Sequence, residues 1–198
     1  LLAEVLQRIV LPIPDSAVSV LVGSRSHEQA GGLVGLWEPL LTVLREIAAA
    51  GQDVIVDAGR LGLAGFARPL VSQSDLTLLL LRTSLPSVVA ARSWAGALAA
   101  EEMDGHLVRA VTVGPARPYQ DGEVARALGV PVLGSVAWDP RAAAVYAEGA
   151  EPARRGWTSP AQTFAASAYL RSIAGLGERA RHLLAAQPTR PRSEVGHG

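Results

Sequence analysis

The chain has 198 residues and no lysine, so all 18 of its basic side chains are arginine. This excludes the usual phosphate-binding loop, G-x-x-x-x-G-K-[ST], whose lysine reaches the β- and γ-phosphates. A planar, forked guanidinium does not replace that compact ammonium. Cysteine is also absent, which removes disulfides, thiolate metal sites and a cysteine nucleophile, and fits a reducing cytoplasm. The formal net charge is zero, so no global field draws the chain to DNA or acidic lipid. No apolar run reaches the ~18 residues of a spanning helix. The opening Leu1-Leu2-Ala3-Glu4 lacks the basic region of a signal peptide, and it lacks methionine. The four histidines, His27, His106, His182 and His197, have no ligand spacing. Ser24, Ser26, Ser72 and Ser74 lie in no G-x-S-x-G elbow, so a hydrolase triad has no support.

The residues that are present alternate between two periods. Residues 1–10 place Leu2, Val5, Leu6 and Ile9 on one helical face. Ala17–Val22 reads as a buried strand, and residues 23–36 as a loop. Pro39 suits a first helical turn and Gly51 a C-terminal cap, with Leu40, Leu44 and Ile47 facing a core. Asp53–Asp57 reads as a second strand and Leu76–Leu81 as a third, apolar throughout, as strands buried on both faces are. A helix over 85–102, a strand over Leu107–Val113, a short helix capped by Asp121 and a strand over Val130–Val136 follow. Asp139-Pro140 and Ser159-Pro160 each pair an N-cap with proline at the first helical position. The second opens a long helix to about residue 186, with Gly175 and Gly177 as candidate breaks. Residues 187–198 read as a disordered tail. This alternation predicts one α/β domain over 1–186, a doubly wound, mainly parallel sheet flanked by helices. Ligands in such sheets sit beyond the carboxyl ends of the strands, which puts Asp57, Arg82, Thr83, Gly114 and Asp139 on one rim.

Each candidate on that rim has a chemical reading and a plainer one. Asp57 ends an apolar run and precedes Ala58-Gly59, the Walker B form in which Asp holds Mg²⁺ through water. It also fits an acidic cap on the next turn. Arg60 and Arg82 suit phosphate or carboxylate contacts. They equally suit pairing with Asp53, Asp57 or Asp75. The loops Gly114–Tyr119 and Trp138-Asp139-Pro140 could pack on a purine or simply turn the chain. Trp37, Trp94 and Trp157 suit packing or an interface, and Arg154-Arg155-Gly156-Trp157 is a small basic-aromatic patch.

Taken in order, these segments resemble the ParA/MinD family of deviant-Walker P-loop ATPases, and in particular divergent actinobacterial MinD-like, septum-site and CpaE-like members. The matching stretches are Asp53–Arg60, Ser74–Arg82, Val111–Gly114 with Arg117, and Gly129–Arg141. The resemblance implies an ATP·Mg²⁺-binding homodimer with slow hydrolysis. Such proteins position division, partition or pilus machinery from the cytoplasm, on membrane or nucleoid DNA. It implies that Asp57 holds Mg²⁺ through water and that Gly59 and Arg60 begin a switch sensing the γ-phosphate. It also implies that Gly114, Arg117, Trp138 and Asp139 flank adenine. The departures are specific. The P-loop, its helix and the next strand should precede residue 17, and the sequence holds none of them. Gly114 stands where the family has Asn, and Ala137-Trp138 where it has Pro. The first family strand is central in the sheet, so its absence leaves apolar strand edges uncovered. The expectation is therefore the C-terminal portion of such an ATPase, unable to bind ATP alone. The competing reading is an interaction module that keeps the fold without nucleotide chemistry. A receiver-like domain is disfavoured, since only Glu4 and Asp15 are acidic near the start.

Overall fold

The computed structural model describes residues 2–23, 32–62, 66–100, 106–153 and 159–187. Ser24, Ser26, His27, the Arg154–Trp157 patch, His197 and nearly all of the expected tail lie outside them. The chain divides into two compact units, Leu1–Ser74 and Asp75–Gly198.

In the first unit, helix α1 spans Leu2–Ile9. Strands β1 (Leu11–Pro12) and β2 (Ser19–Val20) form a small antiparallel hairpin. Ala17–Val22 is thus not a buried strand of a parallel sheet: only two residues pair, and Val18, Val20, Leu21 and Val22 are exposed. After a 3-10 turn at Val34–Leu36 comes α2, Trp37–Ala49. Pro39 lies in its first turn, and Gly51 follows it in the left-handed region at φ 88°, as a residue closing a helix does. Leu41, Ala67 and Leu70 form a core against which Trp37, Leu40 and Leu44 pack. Ala67 precedes and Leu70 lies on the short helix α3, Arg68–Ser72. The Asp53–Asp57 segment belongs to no strand ladder, and Val54, Ile55 and Val56 are all exposed. Apolar composition suits these residues to a strand, but a strand needs a neighbour to take its backbone hydrogen bonds.

The second unit is a mixed α/β structure with a three-stranded parallel sheet of order β3-β4-β5. The strands are Leu76–Arg82, Leu107–Val113 and Val132–Val136. Helices α4 (Leu85–Ala100) and α5 (Asp121–Leu128) supply the crossovers. The remaining helices are α6 (Pro140–Ala147), α7 (Pro160–Ala165) and α8 (Ala168–Ala185). Adjacent strand residues point to opposite faces. A Cβ built on Gly134 would meet Leu176 and Arg179 of α8, whereas the Ser135 hydroxyl donates to Asp121 at the start of α5. Helices α5 and α8 therefore cover opposite faces of β5. Central β4 is the best-buried strand, with Val108, Ala110, Val111 and Thr112 all buried. At the edge, β3 buries Leu79 and Leu81 but leaves Leu78 and Leu80 exposed, so it is not covered on both faces as its composition suggests.

Two local expectations change. Gln120, not Asp121, precedes α5 as its N-cap. The Asp121 carboxylate turns inward to accept from Thr112 Oγ1 at 2.6 Å and from Ser135, tying α5 to β4 and β5. The C-terminal helix breaks at Ala166-Ser167 rather than at Gly175 or Gly177. Ser167 Oγ accepts the Leu170 amide at 3.1 Å, and this new N-cap starts α8.

Candidate functional site

The residues singled out from sequence fall into two groups, one in each unit. Asp57, Gly59 and Arg60 lie in the first. Asp57 is exposed, and its Oδ1 accepts the Gly59 amide at 2.8 Å. This is a self-closed turn of the kind Asp makes with the backbone two residues on. Gly59 sits at φ 70°, and a Cβ there would meet nothing within 4 Å. Arg60 is exposed. No group of three His, Cys, Asp or Glu side chains poised for a metal occurs among the described residues.

The second group is assembled at the carboxyl ends of β3, β4 and β5. Thr83, directly after β3, is fully buried and holds the rim together. Its Oγ1 donates to the Gly114 carbonyl at 3.0 Å and accepts the Arg117 amide at 3.0 Å. Gly114 donates its own amide to the Val136 carbonyl at 3.0 Å, joining the loop after β4 to the end of β5. Gly114 has φ 73°, and an added Cβ would stand 3.2 Å from the Trp138 ring and 3.3 Å from Arg117 Cδ. Both the left-handed backbone and the close approach of Trp138 therefore require glycine.

Trp138 is the centre of this group. The Arg82 guanidinium carbon lies 5.1 Å from its ring centroid and that of Arg117 5.8 Å, both within cation–π range. Among the described residues neither guanidinium has an ion pair with a carboxylate. Asp139 caps α6, its Oδ1 accepting the Ala142 amide at 3.0 Å. Helix α8 steadies the same loop. The Ala137 amide donates to Ser172 Oγ at 3.0 Å, and that hydroxyl donates to the Tyr169 carbonyl at 2.6 Å. Arg82, Trp138, Tyr169 and the α6 residues Ala143, Ala144 and Ala147 line a cleft of about 360 Å³. Chemically, the cleft offers a guanidinium, an indole ring, alanine methyl groups and the carboxylates of Asp139 and Glu148.

The structure thus brings Arg82, Thr83, Gly114, Arg117, Trp138 and Asp139, all singled out from sequence, together on one rim and adds Tyr169. Arg82 was visible in sequence as an arginine ending a strand. Its partner is the Trp138 ring rather than Asp53, Asp57 or Asp75. Nothing in the sequence marked Thr83 as a hub, because its two partners are backbone groups 31 and 34 residues away.

No family model matches the chain. No curated protein matches it either. Two solved structures share its fold. The MinD cell division protein of Aquifex aeolicus superposes with a TM-score of 0.61 at 14% identity, over 93% of this chain and 72% of that one. A ParA family ATPase from Chlorobium tepidum TLS gives 0.58 at 14% identity, over 89% and 68%. At this level of identity the likeness establishes a shared α/β, P-loop NTPase-like fold and nothing about chemistry.

Proposed function

We propose that the chain is the C-terminal portion of a ParA/MinD-like ATPase, a regulator that positions division, partition or pilus machinery. In this reading a segment carrying the phosphate-binding loop lies outside the 198 residues and completes the sheet. The observation that carries the proposal is a pair of unmet strand edges. Among the described residues Asp53–Asp57 has strand composition without a ladder, and β3 pairs with β4 and no other strand, with Leu78 and Leu80 exposed. A strand inserted from elsewhere satisfies open backbone groups and covers apolar side chains together.

The residues present fit part of Mg·ATP only. The exposed Asp57 carboxylate suits a Mg²⁺-bound water, and Gly59 and Arg60 follow it where a γ-phosphate sensor belongs. Gly114, Arg117, Trp138 and Asp139 are the base-side group of this reading. Nothing in the sequence replaces the lysine loop that holds the phosphates. The chain by itself therefore does not retain Mg·ATP. Dimerisation around nucleotide, and association with DNA or membrane, belong to the completed protein. Among the described residues no helix is long and apolar enough to cross a membrane. The actinobacterial, CpaE-like subtype is part of the same proposal and rests on the sequence resemblance alone.

Two measurements test it. DNA immediately upstream of the Leu1 codon should encode, in frame, a G-K-G-G-x-G-K-[ST]-like segment. Calorimetry should detect Mg²⁺-dependent ATP binding by the extended chain and none by the 198 residues. An upstream frame without that motif, or micromolar Mg·ATP binding by the short chain, overturns the proposal. An upstream frame without the motif, together with no ATP binding, favours the interaction-module reading, a chain that keeps the fold without nucleotide chemistry.

A further inference from the structure

We infer that the cleft at the carboxyl end of the sheet binds a small organic phosphate, with its anionic head on Arg82 and its apolar body against α6. Three observations converge. The Arg82 guanidinium is a wall of the cleft, and among the described residues it has no carboxylate to neutralise it. Trp138 holds Arg82 and Arg117 at 5.1 and 5.8 Å, so a second cation reinforces the first around the same ring. Ala143, Ala144 and Ala147, one turn apart on α6, line the same cleft, as does Tyr169.

Each element has a physical role. A guanidinium recognises phosphate through paired N–H donors. The indole ring immobilises two flexible side chains in advance, which reduces the ordering cost of binding. At about 360 Å³ the cleft is at the small end of ligand pockets, which span roughly 300–1,000 Å³. That favours a single-ring or short aliphatic body. Asp139 Oδ1 accepts the Ala142 amide, but its carboxylate also lines the cleft and its charge opposes an anion, so Arg82 must outweigh it. The remaining acidic wall residue is Glu148, whose charge opposes an anion. The inference shares Trp138 and Arg117 with the ATP reading, but it needs neither Mg²⁺ nor a phosphate-binding loop. It can therefore fail or succeed separately.

The test is a calorimetric titration of the 198-residue protein with phenyl phosphate in the presence of EDTA, with tryptophan emission followed in parallel. Saturable binding is expected, with phenol silent and inorganic phosphate weaker. Arg82→Gln should weaken binding about tenfold or more, and Arg117→Gln by about threefold. Glu148→Gln should tighten it, because removing a like charge near the anion is favourable. Circular dichroism should show every variant folded; an Arg82→Gln chain that unfolds is replaced by Arg82→Lys, which keeps the charge, loses the fork and should also bind more weakly. The inference is overturned by an absence of binding up to about 10 mM, by phenol binding as tightly as phenyl phosphate, by unchanged affinity in both Arg82 variants, or by weaker binding in Glu148→Gln.

Discussion

Asp53–Asp57 and β4 are both short, β-branched apolar runs that lead to a glycine on a loop. Their outcomes are opposite. Val111 in β4 is 1% exposed, and its backbone lies between two parallel neighbours. Ile55 is 95% exposed and belongs to no ladder. Both are rich in β-branched apolar residues, so that composition does not decide. What differs is whether strands lie on either side to take the N–H and C=O groups. Strand propensity measures how well a residue fits a pleated, half-buried surface, and it has no force where that surface is missing.

The largest break in this comparison is a charge placed at the same kind of position in each run. Val111→Asp puts an unpaired carboxylate between helices and strands, and should cost about 3–5 kcal/mol and melt the sheet. Ile55→Asp replaces one solvated side chain by another and should stay within about 0.5 kcal/mol. Urea titration with hydrogen exchange read on each segment separates the two. A cost at Ile55 approaching that at Val111 would mean that the 53–57 run is packed in solution.

Much of the second unit was legible in sequence. The strand over Leu107–Val113 has the bounds its composition predicts, and α6 begins at Pro140 behind its Asp139 cap. Those signals are local: a period, a proline, a capping side chain. Non-local facts were not legible. Asp121 reads as a cap, yet its carboxylate serves Thr112 and Ser135, 9 and 14 residues away. Leu78 and Leu80 read as buried because nothing in a single strand tells which neighbours will cover it. At the rim, six residues named from sequence lie together, but the Arg82–Trp138 contact that shapes the cleft was not legible. A cation over a ring leaves no spacing rule in a chain, and here it links positions 56 residues apart, one ending β3 and one following β5.

A smaller contrast lies in two glycines, one from each group of candidate residues. Gly59 and Gly114 have nearly the same backbone, φ 70° and φ 73°. In Gly59→Ala the new methyl meets nothing within 4 Å and the exposed turn can relax, so the cost should not exceed about 1 kcal/mol. In Gly114→Ala the methyl also stands 3.2 Å from the Trp138 ring within a bonded loop, so strain and crowding add to about 2–3 kcal/mol. Tryptophan emission should change in Gly114→Ala and not in Gly59→Ala. Equal costs with unchanged emission would show that the loop after β4 is as loose as the turn after Asp57.

The smallest contrast concerns the two aspartates. Asp139 accepts the Ala142 amide at 3.0 Å, one of the first-turn donors that α6 cannot satisfy internally. Asp57 accepts the Gly59 amide at 2.8 Å, in an exposed turn where water serves that donor as well. Asp139→Ala should therefore cost about 1 kcal/mol, the usual value for a lost N-cap, with α6 amides exchanging faster. Asp57→Ala should cost a few tenths at most, because an exposed hydrogen bond is traded for one to solvent. If Asp57 instead carries the larger cost, its carboxylate is holding more than its own turn, and the 53–60 segment is organised by contacts absent from this fold. If Asp139→Ala costs nothing, α6 is fixed by its packing on α8 rather than by its cap, and the alanine wall of the cleft keeps its shape without Asp139.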